Sequence, residues 1–184
     1  MDAFPDLATL GDAELKMFFF LLVIAGNDTV RSALPGGVLA LAEHPDEQRR
    51  LRADPALLAG AIEELLRWHP PVLSFRRTAT EDVELADVRI RAGDKVVVYH
   101  VSAHYDEREF AEPFRFDVAR SPNRHLAFGH GPHKCLGAHF ARLQMHAFFS
   151  AMLERLPEVR LAGDPERLTS NFINGIKHLP LAWR

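Results

Sequence analysis

Cysteine is almost missing from this chain: Cys135 is the only one in 184 residues. No internal disulfide can form, and a lone thiol in an intracellular setting is a candidate ligand or nucleophile. An excess of one charge is missing as well. Twenty-two basic residues face 25 acidic ones for a formal charge of -3, with no Lys/Arg run to favour a nucleic-acid partner. Long apolar runs are also absent. The most membrane-like stretch, Met17 to Ala25 (MFFFLLVIA), is well short of the roughly 20 residues that a spanning helix needs. Asp2, Asp6 and Asp12 stand where a signal peptide would have its basic start. No internal repeat, low-complexity run or clear linker divides the chain. These absences point to a cytoplasmic protein with no membrane span, and 47% hydrophobic residues suffice for one core.

The pattern that is present opens with a long helix from Asp12 to about Glu43, apolar enough to be buried on most sides. Pro35-Gly36-Gly37 should kink or interrupt it. After His44-Pro45 a short polar helix runs to about Arg52, and a third helix spans Pro55 to Trp68. Val83–Ile90 and Lys95–Val101 then alternate around Ala92-Gly93-Asp94, which predicts a β-hairpin. A short helix is expected near Asp106–Phe110. Pro113 to Pro132 is long and weakly periodic, as functional loops often are. A helix follows over Leu136–Leu156, and short strands flank Asn174-Gly175.

The chemistry concentrates in Phe128-Gly129-His130-Gly131-Pro132-His133-Lys134-Cys135-Leu136-Gly137. Gly129 and Gly131 permit positive φ and a close approach to a flat ligand. Cys135 sits where the loop enters a helix, whose N-terminus favours a thiolate. His133 can face an anionic group, and Gly137 leaves space for a macrocycle. Two other readings use the same residues. One is a buried cysteine after a Gly-rich turn; the other is a metal site of His130, His133 and Cys135, which lacks a fourth ligand.

This segment resembles the Phe-x-x-Gly-x-(Arg/His)-x-Cys-x-Gly signature of the cytochromes P450. Further matches follow in the family's order. Glu64-Leu65-Leu66-Arg67 resembles its Glu-x-x-Arg motif, with both side chains on one helical face. Arg115, in Pro113-Phe114-Arg115-Phe116, resembles the later arginine that completes a buried structural network with that pair. Ala25-Gly26-Asn27-Asp28-Thr29 resembles the oxygen-activation motif, with Ala25, Asp28 and Thr29 on one face. The competing account of Thr29 is a hydroxyl bonded back to a helix carbonyl. Arg77 resembles a propionate partner, with Arg76 beside it as the alternative.

The resemblance implies an α+β fold, mainly α-helical with small β-sheets, corresponding to the C-terminal part of the P450 architecture. Residues 1–184 would form a single partial domain lacking the N-terminal half. It implies haem b ligated through iron by Cys135, with Ala25, Gly26, Arg77, Phe128, Gly129, His133 and Gly137 around the cofactor. The thiolate would push electron density onto the iron and favour O–O cleavage. Asp28 and Thr29 would be catalytic, guiding protons, and Glu64, Arg67 and Arg115 structural. The implied function is monooxygenation of a small hydrophobic substrate, with electrons from a ferredoxin-type or other redox partner. The tail Ser170–His178 and Asn27 resemble members acting on sterols or other lipids. The alternative is a non-catalytic, truncated or decayed haem-binding fragment. Without the missing half, one side of the apolar helix should be bare.

Overall fold

The computed structural model describes residues 10–183. Five α-helices appear in chain order: α1 (Asp12–Glu43), α2 (Pro45–Ala53), α3 (Leu58–Trp68), α4 (His100–Ala103) and α5 (Ala138–Arg155). Eight short strands join them: β1 (Ser74–Thr78), β2 (Val83–Leu85), β3 (Val88–Ile90), β4 (Lys95–Tyr99), β5 (Val159–Leu161), β6 (Glu166–Arg167), β7 (Ile176–His178) and β8 (Leu181–Trp183). They form four two-stranded antiparallel pairs, β1–β4, β2–β3, β5–β8 and β6–β7. The fold is therefore mainly helical with small sheets, as expected.

Local chemistry sets the helix ends. The Glu14 carboxylate accepts the Gly11 N–H at 2.9 Å, closing the start of α1, and Asp12 adds a second acid to the first turn, where the helix dipole favours negative charge. Pro45 occupies the first position of α2, where a missing N–H costs nothing. Asp54 caps the 3-10 turn Pro55–Leu57 through the Ala56 N–H, 3.1 Å away.

Pro35-Gly36-Gly37 does not interrupt α1, which runs through it to Glu43. The glycines are where other elements come closest. A Cβ on Gly36 would overlap the His69 ring, and one on Gly37 would overlap Phe149 of α5. Tertiary packing of α1 on α3 and α5 thus holds the helix through its proline. Around that crossing lies the core, with Val38, Leu41, Leu51, Ile62, Leu65 and Phe149 buried together. Buried Gln48 stitches β5 to it, donating to Leu41 O at 3.1 Å and Val159 O at 2.9 Å and accepting the Val159 N–H at 2.9 Å.

The expected burial of α1 holds only for its second half, from Ser32 to Leu41. Met17, Phe19, Phe20, Val23 and Ile24 are exposed, Val23 by 68%, so the apolar face is bare there. By length and composition α1 could cross a membrane, although the apolar run itself is short. Core helices pass the same test, and α1 packs its other half in the core.

Two β expectations change. Lys95–Tyr99 does not pair with Val83–Ile90; it pairs with Ser74–Thr78, Arg77 opposite Val96. The hairpin is β2–β3, turning at Ala86-Asp87, both at positive φ (47° and 64°). Those are the angles of the turn type that matches strand twist, reached here without glycine. The short helix lies at His100–Ala103, and Asp106–Phe110 forms turns instead.

Candidate functional site

The cysteine loop is built from nested turns. Gly129 N–H donates to Leu126 O at 2.8 Å, Lys134 N–H to Gly131 O at 3.0 Å, and Cys135 N–H to Phe128 O at 2.8 Å. Gly129 and Gly131 both take φ +68°, a conformation that side chains other than glycine's strain to adopt. Cys135 is exposed, two residues before Gly137, which caps α5. Exposed Leu136, Phe140 and Leu143 supply apolar surface in the same segment, and a Cβ on Gly137 would meet nothing.

Beneath the loop, Glu64 and Arg67 of α3 are fully buried and paired at 2.7 Å. Arg67 uses every donor it has. Nε and Nη2 hold the Glu64 carboxylate at 2.7 and 2.8 Å, Nη1 reaches His104 O and Pro113 O, and Nη2 also reaches Arg115 O at 3.4 Å. Glu64 in turn accepts the Asp117 N–H at 3.1 Å and the Asn123 amide at 3.0 Å. A buried ion pair is tolerable only when satisfied in this way.

The third charged member of this network is Arg120, which corrects the expectation for Arg115. Arg120 Nε lies 3.1 Å from Glu64, and its guanidinium also donates to Ala111 O, Glu112 O and Arg115 O. The Arg115 side chain is 58% exposed and pairs with Glu112; only its carbonyl joins the network.

A second anchor was not legible in the sequence. Glu63 receives Arg142 Nε and Nη2 from α5 at 2.6 and 2.7 Å, and His125 Nε2 at 2.9 Å. Burial works to raise the Glu63 carboxyl, but the hydrogen bonds from Arg142 and His125 outweigh it and hold it at about 2. The Arg142 guanidinium lies 4.4 Å from the centre of the Phe128 ring, a cation–π contact on the loop itself. Its pKa is raised first by the bonds to Glu63 and last by attraction to Cys135. His104, fully buried, bonds Arg67 O and the Leu126 N–H. The signals available were weak: an acid beside Glu64, an arginine one turn into α5, and histidines outside the long helices.

The oxygen-motif residues lie in the bare part of α1. Asp28 is exposed and Thr29 half-buried, and Thr29 Oγ1 donates to Ala25 O at 2.6 Å, the back-bond foreseen as the competing account. Arg77 is exposed; it donates to Arg76 O at 3.0 Å and sits over Phe75. Among the described residues no hydrogen bond or ion pair joins Arg77, Asp28 or Thr29 to the Cys135 loop.

No cluster of three or more His, Cys, Asp or Glu side chains able to hold a metal ion exists among the described residues, which removes the His130–His133–Cys135 site. An exposed lone thiol, apolar neighbours and open space over Gly137 fit a flat macrocycle that brings its own metal.

Comparison with known proteins agrees with this geometry. The cytochrome P450 family model matches residues 3–157. The methyl-branched lipid omega-hydroxylase of Mycobacterium bovis is 45% identical over 185 residues, 100% of this chain and 43% of its own length. The steroid C26-monooxygenase of the same organism is 40% identical, over 92% of this chain and 39% of its own. A Mycobacterium marinum cytochrome P450 solved in complex with pseudoionone superposes with a TM-score of 0.89 at 45% identity, covering 94% of this chain and 42% of that one. The chain therefore spans less than half the length of the curated relatives it matches.

Proposed function

The chain belongs to the cytochrome P450 family, and from that premise we propose that it carries the haem-thiolate and proton-guiding elements of a monooxygenase acting on a small hydrophobic substrate. The observation that carries this reading is the exposed Cys135 on a loop pinned to the buried Glu64–Arg67 pair. Bound haem b supplies the chemistry that activates dioxygen with electrons from a ferredoxin-type or other redox partner.

The chain's own residues hold and shield that group. Cys135 is the iron ligand, and backbone N–H groups of the loop tune its thiolate. Phe128, Gly129 and Gly137 would line the haem beside Cys135, and Ala25 and Gly26 would also contact it. His133 and Arg77 would hold the propionates. Thr29 has its hydroxyl hydrogen on Ala25 O, so its oxygen lone pairs are free to accept from a water that carries protons from Asp28.

A lipid or sterol substrate is supported by the named activities of two relatives and by the Ser170–His178 tail. Residues 1–184 act as a single partial domain in the cytoplasm, corresponding to the C-terminal part of the family fold. A non-catalytic haem-binding role has one observation in its favour: the α1 segment bearing Thr29 is open to water, which leaves proton delivery unshielded. Haem titration of the purified chain, its reduced CO-bound spectrum and a product assay with fatty acids and sterols separate the two. A thiolate-type spectrum with product supports the monooxygenase, and the spectrum without product supports the binding role.

A further inference from the structure

We infer that His104 is the residue that seats the cysteine loop on the Glu64–Arg67 network, as a two-ended bridge with its ring proton on Nδ1. Its Nδ1 is 2.9 Å from Arg67 O, which can only accept, so that nitrogen carries the hydrogen. Its Nε2 is 2.8 Å from the Leu126 N–H, which can only donate, so that nitrogen is bare. Arg67 returns the contact, Nη1 donating to His104 O at 2.8 Å. The two residues thus exchange side-chain-to-backbone bonds, and the ring has no freedom to flip without breaking them.

Neighbouring rings close the remaining directions. His100 stacks against His104 at 6.2 Å between centroids, and His125 meets it edge-on at 5.9 Å. With its side chain fully buried, His104 has no water to replace either bond.

What the bridge holds is the start of the ligand loop. Leu126 O accepts the Gly129 N–H and Phe128 O accepts the Cys135 N–H, both at 2.8 Å. Movement at Leu126 therefore passes to the cysteine through one turn. His104 touches neither Cys135 nor anything bound there, so its role is positioning. The consequence at the iron rests on the function proposed above; the bridge itself rests on hydrogen-bond geometry.

Two isosteres separate the ends of the bridge. His104→Gln keeps an acceptor near the place of Nε2, and His104→Asn keeps a donor near Nδ1 but is too short to reach Leu126. Leu126 amide exchange in the chain should quicken by roughly tenfold or more in His104→Asn, the effect of stranding a buried donor, and change little in His104→Gln. After haem loading, the Asn variant should lose the thiolate-type CO spectrum and the Gln variant should retain it. Equal exchange in the two variants overturns the bridge. If neither variant folds, nitrogen NMR of the unmodified chain decides alone: a hydrogen on Nδ1 is expected, and one on Nε2 sinks the inference. Exchange rates that follow expectation in a chain taking up no haem support the bridge and count against the proposed function instead.

Discussion

Glu63 and Glu64 are neighbours in α3 that secure different parts of one loop. Glu64 faces inward to Arg67, Arg120 and the backbone at Asp117, while Glu63 reaches Arg142 of α5 and His125. One turn of helix thereby holds the stretch from Asp117 to His125 on one side and α5 beyond Cys135 on the other, and the following tests probe each hold.

Truncating the buried network should rank its arginines. Arg67→Ala strands a fully buried carboxylate and should cost about 3–5 kcal/mol, enough to prevent stable haem incorporation. Arg120→Ala removes a bond to Glu64 and three to carbonyls, and should cost about 1–3 kcal/mol. Arg115→Ala should stay within about 0.5 kcal/mol, because its pair with Glu112 is solvated. Urea denaturation of the three variants checks the order. Equal costs for Arg115 and Arg120 would restore Arg115 as the third member.

The second anchor predicts coupling. Glu63→Gln and Arg142→Ala each break a bidentate, partly buried ion pair, and in a double-mutant cycle the pair should show an interaction of about 0.5–3 kcal/mol. Phe128→Leu should lower it by removing the ring beneath the guanidinium. An additive cycle means that Arg142 holds the loop without Glu63.

Cys135→Ser should abolish the thiolate-type spectrum in any haem-loaded preparation. Because Cys135 is exposed, the apo chain should also react at once with a thiol reagent, and haem should protect it. Unchanged labelling with haem bound means that the ligand lies elsewhere.

Acid should unfold the chain in two stages. Burial drives His104 and His69 down to about 4 from 6.5, against the bonds that each ring makes to a carbonyl. Arg67, His100 and His125 depress His104 further, and Arg167 depresses His69. Folded values below unfolded ones mean that the unfolded chain binds more protons. Stability is then complete above pH 6.5 and is lost toward pH 4, by between about 1 and 2 kcal/mol per pH unit for each ring. Glu63, held at about 2, extends the loss below pH 4.5. Denaturation between pH 2 and 8 checks this, and His104→Gln should shallow the upper stage. A flat profile contradicts it.

Much of this architecture was legible. The three long helices follow from spacing, and the glycine turns of the Cys135 loop from residue type. Spacing places Glu64 and Arg67 only on one helical face, whereas their burial was an expectation of the family resemblance. What was hidden depended on tertiary distance. Arg115 and Arg120 lie five residues apart in a segment without periodicity, so nothing local says which one turns back to Glu64. Gly93 attracted the hairpin reading, whereas the tight turn formed at Ala86-Asp87. His104 is one of ten histidines, and only the approach of Leu126 gives it a task. Pro35 reads as a helix breaker until His69 and Phe149 are seen packed on the glycines beside it.

The bare half of α1 sets the behaviour of the chain in solution. Phe19, Phe20, Leu21, Val23 and Ile24 are each exposed by 45% or more, and each forgoes about 1.5–3 kcal/mol of burial. Together that is comparable to the stability of a whole domain, about 5–15 kcal/mol, so surface of this kind seeks a cover. The chain alone should self-associate at micromolar concentration, bind a hydrophobic dye and hold haem weakly. Phe20→Lys with Val23→Lys should shift it toward monomer and leave exchange protection in α3 unchanged, since neither residue touches the core. Co-production with the part of the Mycobacterium bovis lipid omega-hydroxylase outside the aligned region should suppress association and raise haem occupancy together. Sedimentation velocity and the haem-to-protein ratio read the two effects. A lone chain that is monomeric, binds haem stoichiometrically and turns over substrate would show that this face needs no cover.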